Sequence, residues 1–161
     1  MGAHSKGVSF RARIAGSFLT VALAVAGLAT FGMVGTAAAD HDVVEGTPCT
    51  ETARACVDVD GGQAWLIDDG EVVRGPVGIS SGGEGQETPR GDFQVEWKDR
   101  DHRSAEFDGA PMPFAVFFAA GGIAFHEGNL DTTSAGCVRL VREDAEAFFD
   151  FLQVGDPVQV R

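Results

Sequence analysis

Two side chains in this sequence have the types and the spacing of a nucleophile and its base. Cys137 lies in a Gly-containing turn at residues 134–140, ahead of a predicted helix, and His126 stands eleven positions upstream. A cysteine attacks carbonyl carbon as the thiolate, and a neighbouring imidazole commonly generates that species near neutral pH. Because a lone buried cysteine is more often a small apolar residue, the pair needs support from its surroundings.

The beginning of the chain predicts export. Residues 1–39 contain no Asp or Glu; three basic residues precede an apolar run at 14–34, and small residues follow at 36–39. This order is typical of a secretory signal peptide with an A-x-A cleavage site. The run is also long enough to span a bilayer, so an uncleaved membrane anchor is the alternative. Either way we expect the domain to lie outside the cytoplasm.

If the chain is exported, its three cysteines can form one internal disulfide and leave one cysteine unpaired. Cys49 and Cys56 are seven residues apart and are predicted to form a disulfide, since nearby cysteines tend to pair in an oxidising compartment. The remaining Cys137 is then either an intermolecular bridge or a reactive thiol. We expect the reactive thiol.

The predicted mature chain is strongly acidic. Residues 40–161 hold nine Lys or Arg against 24 Asp or Glu, a net charge of −15. Nucleic-acid binding needs a basic surface, and anionic membranes attract basic segments. We therefore expect neither of these partners.

The elements that must position the pair are mostly strands. One helix is predicted at residues 142–153, where Ala145, Phe148, Phe149 and Leu152 recur at i, i+3, i+4 and i+7. Alternating or short apolar runs between glycine turns predict a hairpin and further strands. These runs are 56–60 with 63–67, then 71–74, 76–80, 91–97, 113–119, 123–126 and 157–160.

Three segments fall outside this pattern. Residues 40–53 are a short polar leader. The glycine-rich loop at 81–87 lacks the Lys and Ser/Thr of a phosphate-binding loop. Residues 98–112 are charged and irregular, and either cover a cleft or form a solvated loop; we expect His102 within them to be solvated.

Four motifs in order resemble a known family. They are T-P-R-G-D-F at 88–93, M-P-F at 112–114, G-I-A-F-H at 122–126 and S-A-G-C-V-R-L at 134–140. Together they are similar to the L,D-transpeptidase (YkuD-like) catalytic domain of bacterial cell-wall enzymes, over residues 54–161. The resemblance implies a mainly β fold, a sandwich of short mixed strands with one helix after the catalytic cysteine.

The resemblance also implies roles for the motif residues. Cys137 matches the nucleophile that attacks a peptidoglycan stem tetrapeptide, expels D-alanine and forms a thioester, and His126 matches its general base. Gly136 and the Cys137 N–H match the oxyanion-binding position. Ser134 and Arg139 match site-shaping positions. The alternative for Ser134 is a hydroxyl that only stabilises the turn. The alternative for Arg139 is a surface ion pair with an acid such as Glu143. Thr88, Pro89 and Gly91 are assigned to structure.

An amine of a second stem attacking the thioester would give a 3→3 cross-link, and water would give L,D-carboxypeptidase activity. The resemblance thus implies a cell-wall enzyme that contributes to cell shape, binds stem peptides, and needs no metal or cofactor; we expect a monomer. The sequence departs from the family at Ala135, where many members have His, and at Glu127, where Gly or Ser is common. Glu127 is expected to alter substrate charge preference or the pKa of the thiol.

Two other classes of function compete. A metal site would combine His126 and Cys137 with His41, His102 or Asp131, but the closely spaced ligand pairs of zinc sites are missing. A catalytically silent wall-binding module would keep the fold, yet a binder has no need of a thiol beside an imidazole.

Overall fold

The computed structural model describes residues 42–161, where the chain forms nine strands and one helix. The predicted signal peptide, with Asp40 and His41, lies outside the described residues. No helix within residues 42–161 is long and apolar enough to cross a membrane. The elements are β1 Ala55–Asp58, β2 Gln63–Asp68, β3 Glu71–Gly78, β4 Gly91–Gln94, β5 Trp97–Arg103, β6 Pro111–Ala119, β7 Ile123–Glu127, β8 Val138–Leu140, α1 Arg142–Phe151 and β9 Pro157–Val160.

The strands form two mixed sheets. The first has the order β3-β2-β1-β9-β4, with β1 and β9 parallel, and contains the predicted hairpin as β1 and β2. The second has the order β5-β6-β7-β8, with β7 and β8 parallel. The mainly β architecture with one helix after Cys137 agrees with the prediction.

The core lies between the sheets and the helix. Phe118, Phe125 and Phe148 are fully buried, and the ring of Phe125 contacts both of the others. Burying one such side chain contributes about 1.5–3 kcal/mol. The helix presents Ala145 and Phe148 to this core, as its periodicity predicts, and ends two residues earlier than expected because Leu152 is extended.

The leader packs on the first sheet, and the predicted disulfide between Cys49 and Cys56 is present. Both cysteines are inaccessible to solvent and form a small apolar cluster with Trp65 and Ile67. The Thr50 N–H also donates to Gln159 Oε1 at 2.9 Å. Residues 42–53 are therefore part of the folded domain.

The prediction that residues 98–112 are irregular is wrong for most of the segment. Strand β5 occupies Trp97–Arg103, and only residues 104–110 connect it to β6. Strand β5 lies at the edge of its sheet, where charged side chains are common. These charges interrupt the apolar alternation from which a strand is predicted. Lys98 and Arg100 nevertheless lie over the ring of Phe149, and Arg100 also pairs with acids of the helix.

Candidate active site

The second sheet has one face on the core and one on a cavity of about 680 Å³. Phe125 and Val138 are paired across β7 and β8 and fully buried in the core. Side chains alternate along a strand, so their neighbours His126 and Cys137 lie together on the opposite face. Both line the cavity. The parallel pairing of β7 with β8 thus brings together two residues eleven positions apart.

Cys137 is half-buried at the end of its turn, with Sγ 3.6 Å from the carbonyl oxygen of Gly122. Strand β8 separates it from the helix, which begins at Arg142. The helix follows Cys137, as predicted, although not directly. The backbone N–H that stabilises its thiolate belongs to Ala124, on the neighbouring strand.

Burial raises the pKa of the Cys137 thiol above its ordinary value. The Ala124 N–H and the charge of Arg139 lower this pKa, but burial outweighs both. The carboxylate of Glu106, on the turn between β5 and β6, raises it further. The resting cysteine is therefore a neutral thiol and needs a base.

His126 is 7% exposed, and its Nδ1 lies 2.7 Å from the carbonyl oxygen of Glu127. A carbonyl oxygen only accepts hydrogen bonds, so Nδ1 carries the proton and Nε2 keeps its lone pair. Burial lowers the pKa of His126; the bond to Glu127 opposes this, while the charges of Arg139 and His102 reinforce it. His126 is thus a neutral imidazole at pH 7, with Nε2 available as a base.

The turn before Cys137 is held by Ser134. Its hydroxyl accepts a hydrogen bond from the Gly136 N–H at 3.1 Å and donates one to the Cys137 carbonyl at 2.5 Å. These bonds give Ser134 the turn-stabilising role. They also engage the Gly136 N–H; that this turn forms the oxyanion-binding position stays a prediction.

Gly136 shapes the turn instead. Its φ is 111°, and a Cβ there would lie 2.6 Å from the side chain of Ile123. Any other residue would be both strained and crowded at this position.

Thr88 fixes the same turn from a distant part of the sequence. Its buried hydroxyl donates to the Gly136 carbonyl at 2.8 Å and accepts from the Gly82 N–H at 2.9 Å. Gly82 also bridges to Ser134. The glycine-rich loop and the T-P-R-G-D-F motif therefore position the nucleophile turn.

We expect Thr88→Val to lower the free energy of unfolding by about 1–3 kcal/mol, because the shape is kept while the buried Gly136 carbonyl and Gly82 N–H lose their partner. Urea unfolding measures this change. Thr88→Ser keeps the hydroxyl and serves as the matched control. Equal unfolding free energies for the two variants would contradict the role given to the hydroxyl.

Arg139 organises the loop between His126 and Cys137. Its Nη1 lies 3.2–3.4 Å from the carbonyl oxygens of Asn129, Thr132 and Thr133. The expected alternative, an ion pair with Glu143, is wrong because Glu143 pairs with Arg74.

Glu127 and Ala135 also line the cavity. The carboxylate of Glu127 accepts a hydrogen bond from Arg142 at 3.0 Å, and the acid that acts on the pKa of Cys137 is Glu106. The sequence offered no signal for Glu106, because it lies in a charged connection with no motif around it.

The prediction that His102 is solvated is wrong. It is half-buried, lines the cavity, and its Nδ1 is 3.1 Å from Asp99 Oδ2. Trp97 and Phe117 were also missed and lie beside it in the cavity wall. Alternation along β5 would place Trp97 on the cavity side but His102 on the side of Lys98 and Arg100, so no local pattern indicated His102.

The metal alternative finds no support in the described part of the chain. Within residues 42–161 no group of three or more His, Cys, Asp or Glu side chains is placed to hold a metal ion. His41 lies outside these residues.

Comparison with known proteins identifies similar folds. A family model of the L,D-transpeptidase catalytic domain (YkuD) matches residues 52–160. The solved L,D-transpeptidase (Yku) from Stackebrandtia nassauensis is 27% identical with a TM-score of 0.62, and the match covers 66% of this chain and 54% of that one. The L,D-transpeptidase from Xylanimonas cellulosilytica is 27% identical (TM-score 0.62; 71% and 63% covered).

The L,D-transpeptidase from Mycobacterium smegmatis is 26% identical, with a TM-score of 0.59 and coverage of 66% and 57%. The chain thus spans between about half and two thirds of the length of these structures. No curated protein sequence matches it.

Proposed function

Because this chain belongs to the L,D-transpeptidase catalytic domain family, we propose that it is a cysteine transpeptidase that joins peptidoglycan stem peptides through a thioester on Cys137. The observation that carries this proposal is the placement of Cys137 and His126 on one face of the second sheet, in the wall of one cavity. The orientation of His126 supports it, since Nδ1 is bonded to Glu127 and Nε2 remains for the thiol.

In the first half-reaction, Nε2 of His126 takes the thiol proton while Sγ of Cys137 attacks the carbonyl carbon of the third stem residue. The Cys137 N–H is the proposed donor to the resulting oxyanion. The C–N bond to D-alanine then breaks, and the imidazolium of His126 gives its proton to the leaving amine. The acyl group remains on Cys137 as a thioester.

In the second half-reaction, an amine of another stem attacks the thioester carbon. The new C–N bond forms, the C–S bond breaks, and Cys137 returns to the thiol. A water molecule in place of the amine gives the carboxypeptidase product. The Cys49–Cys56 disulfide supports an extracytoplasmic place of action, because such bonds persist in oxidising compartments.

The direct test incubates the purified protein with a stem tetrapeptide and follows the products by mass spectrometry. We expect loss of D-alanine and a dimer in which the acyl group of one stem is joined to the side-chain amine of the other. A tripeptide without dimer would assign hydrolysis instead of transfer. Binding of the tetrapeptide with neither product would favour a silent wall-binding module.

A further inference from the structure

We propose that His102, oriented by Asp99, is a second base in the cavity, which removes a proton from the incoming acceptor amine. The inference rests on the proposed transpeptidase function and adds a residue to its second half-reaction.

The first observation is the arrangement of Asp99, His102 and the cavity. His102 lines the cavity that contains Cys137 and His126, whereas Asp99 is not among the lining residues. The carboxylate accepts a hydrogen bond from Nδ1 at 3.1 Å, so Nδ1 carries the proton and Nε2 keeps its lone pair. A histidine held in this way is a base with a fixed tautomer.

The second observation is that aromatic rings confine the imidazole. Trp97 and Phe117 are stacked with their centroids 3.7 Å apart. The ring of His102 stands nearly perpendicular to both, at 5.3 Å from Trp97 and 5.0 Å from Phe117. These contacts and the bond to Asp99 hold the ring in one orientation, as a base acting on a bound amine requires.

The third observation is a change of side on β5, by which His102 faces the cavity. On β5, Lys98 and Arg100 extend towards the helix, and strict alternation would send His102 to that side. On the paired strand β6, Phe114 has a φ of 58°, a strained value for a bulky residue. Beyond it Met112, the partner of His102, packs in one cluster with Ala115 and Phe117 of the cavity face.

The strained residue therefore coincides with a change of side that brings His102 to the cavity. Backbone strain of this kind tends to be stored at functional sites.

Transfer of the acyl group to an alkyl amine requires a second base. An alkyl amine arrives as the ammonium ion at neutral pH, and its nitrogen loses two protons on becoming an amide. One proton returns to the sulfur of Cys137, through His126. The other must leave before the nitrogen can attack, and Nε2 of His102 accepts it and then passes it to solvent. The sum is an ammonium ion and a thioester giving an amide, a thiol and one proton.

Other charges around the cavity are compatible with this role. Protonated His102 lowers the pKa of His126, so a proton held on His102 helps to keep His126 neutral. The neighbouring charges on β5 are Lys98, Arg100, Asp101 and Arg103, and the titratable or charged groups in the cavity wall are Glu106, His126, Glu127, Cys137 and Arg139.

The test compares acceptors that differ in their protonation at pH 7. With wild type and His102→Gln, the rate of transfer from the tetrapeptide is measured to a primary alkyl amine, which is protonated, and to hydroxylamine, which is neutral. We expect His102→Gln to slow transfer to the alkyl amine about 100-fold and transfer to hydroxylamine by less than about threefold. Acylation by a carbapenem, which involves no acceptor amine, should keep its rate.

Asp99→Asn tests the positioning role, with Asp101→Asn as the matched control on the same strand. We expect Asp99→Asn to slow transfer to the alkyl amine about 10-fold, and Asp101→Asn to leave it unchanged. For His102→Gln, an equal loss with both acceptors or no loss with either would overturn the proposal. A wild type that a carbapenem does not acylate would instead overturn the transpeptidase function and, with it, this inference.

Discussion

Cys137→Ala is expected to remove the covalent chemistry completely while leaving the fold intact. Intact-mass spectrometry should show wild type shifted by the mass of one carbapenem, because a strained β-lactam acylates a nucleophilic thiol, and the variant unshifted. Transfer from the tetrapeptide should fall by about 10⁴-fold or more, the scale on which the loss of a nucleophile acts. Cys137 is half-buried at the cavity wall, so alanine leaves only a small void.

The outcome is informative because the other two cysteines are joined in the disulfide. An adduct that persists in Cys137→Ala would place the nucleophile elsewhere and contradict the proposed function. A urea unfolding curve close to that of wild type shows that the loss is chemical. Chelator in the same assay should leave the wild-type adduct unchanged, and a chelator-sensitive reaction would revive the metal alternative.

His126→Gln is expected to slow acylation by about 10²–10⁴-fold, the usual contribution of a general base, and to change its pH dependence. Burial lowers the pKa of His126 from its ordinary value of about 6.5. The wild-type rate should therefore fall only in acid, below pH 6.5, where the imidazole becomes protonated. Between that limit and the titration of the thiol the rate should be nearly flat.

Without the imidazole, the reaction depends on thiolate formed by direct ionisation. Because burial raises the pKa of Cys137, the rate of His126→Gln should climb about tenfold per pH unit and still be rising at pH 9. Stopped-flow or timed mass spectrometry between pH 5 and 9 measures both profiles. Parallel profiles for the two proteins would mean that His126 acts on stability or binding and not as the base.

Several residues of the four motifs support the site structurally and take no part in the proposed reaction. Ser134 closes the turn with two hydrogen bonds, Gly136 supplies its positive φ, and Arg139 holds the preceding loop. Each acts through backbone groups that a sequence does not display. Thr88, which lies 49 positions before Cys137, supports the same turn through the Gly136 carbonyl.

The sequence by itself determined the class of fold, the disulfide, and the candidate pair Cys137 and His126. Alternation and helical periodicity are local patterns, and Cys49 and Cys56 are close in the chain. The four motifs belong to a family whose fold recurs here. These features could be predicted because each depends on residue types within a short window or on a shared motif.

Only the tertiary structure decided the electrostatics of the site and the residues that complete it. The pKa of Cys137 rises because burial, which depends on packing from all sides, outweighs the nearby charge and N–H group. His102 faces the cavity at the point where β5 pairs with β6 beside the unusual backbone of Phe114. Burial, cross-strand register and changes of strand face arise from contacts between distant segments, and so no local pattern encodes them.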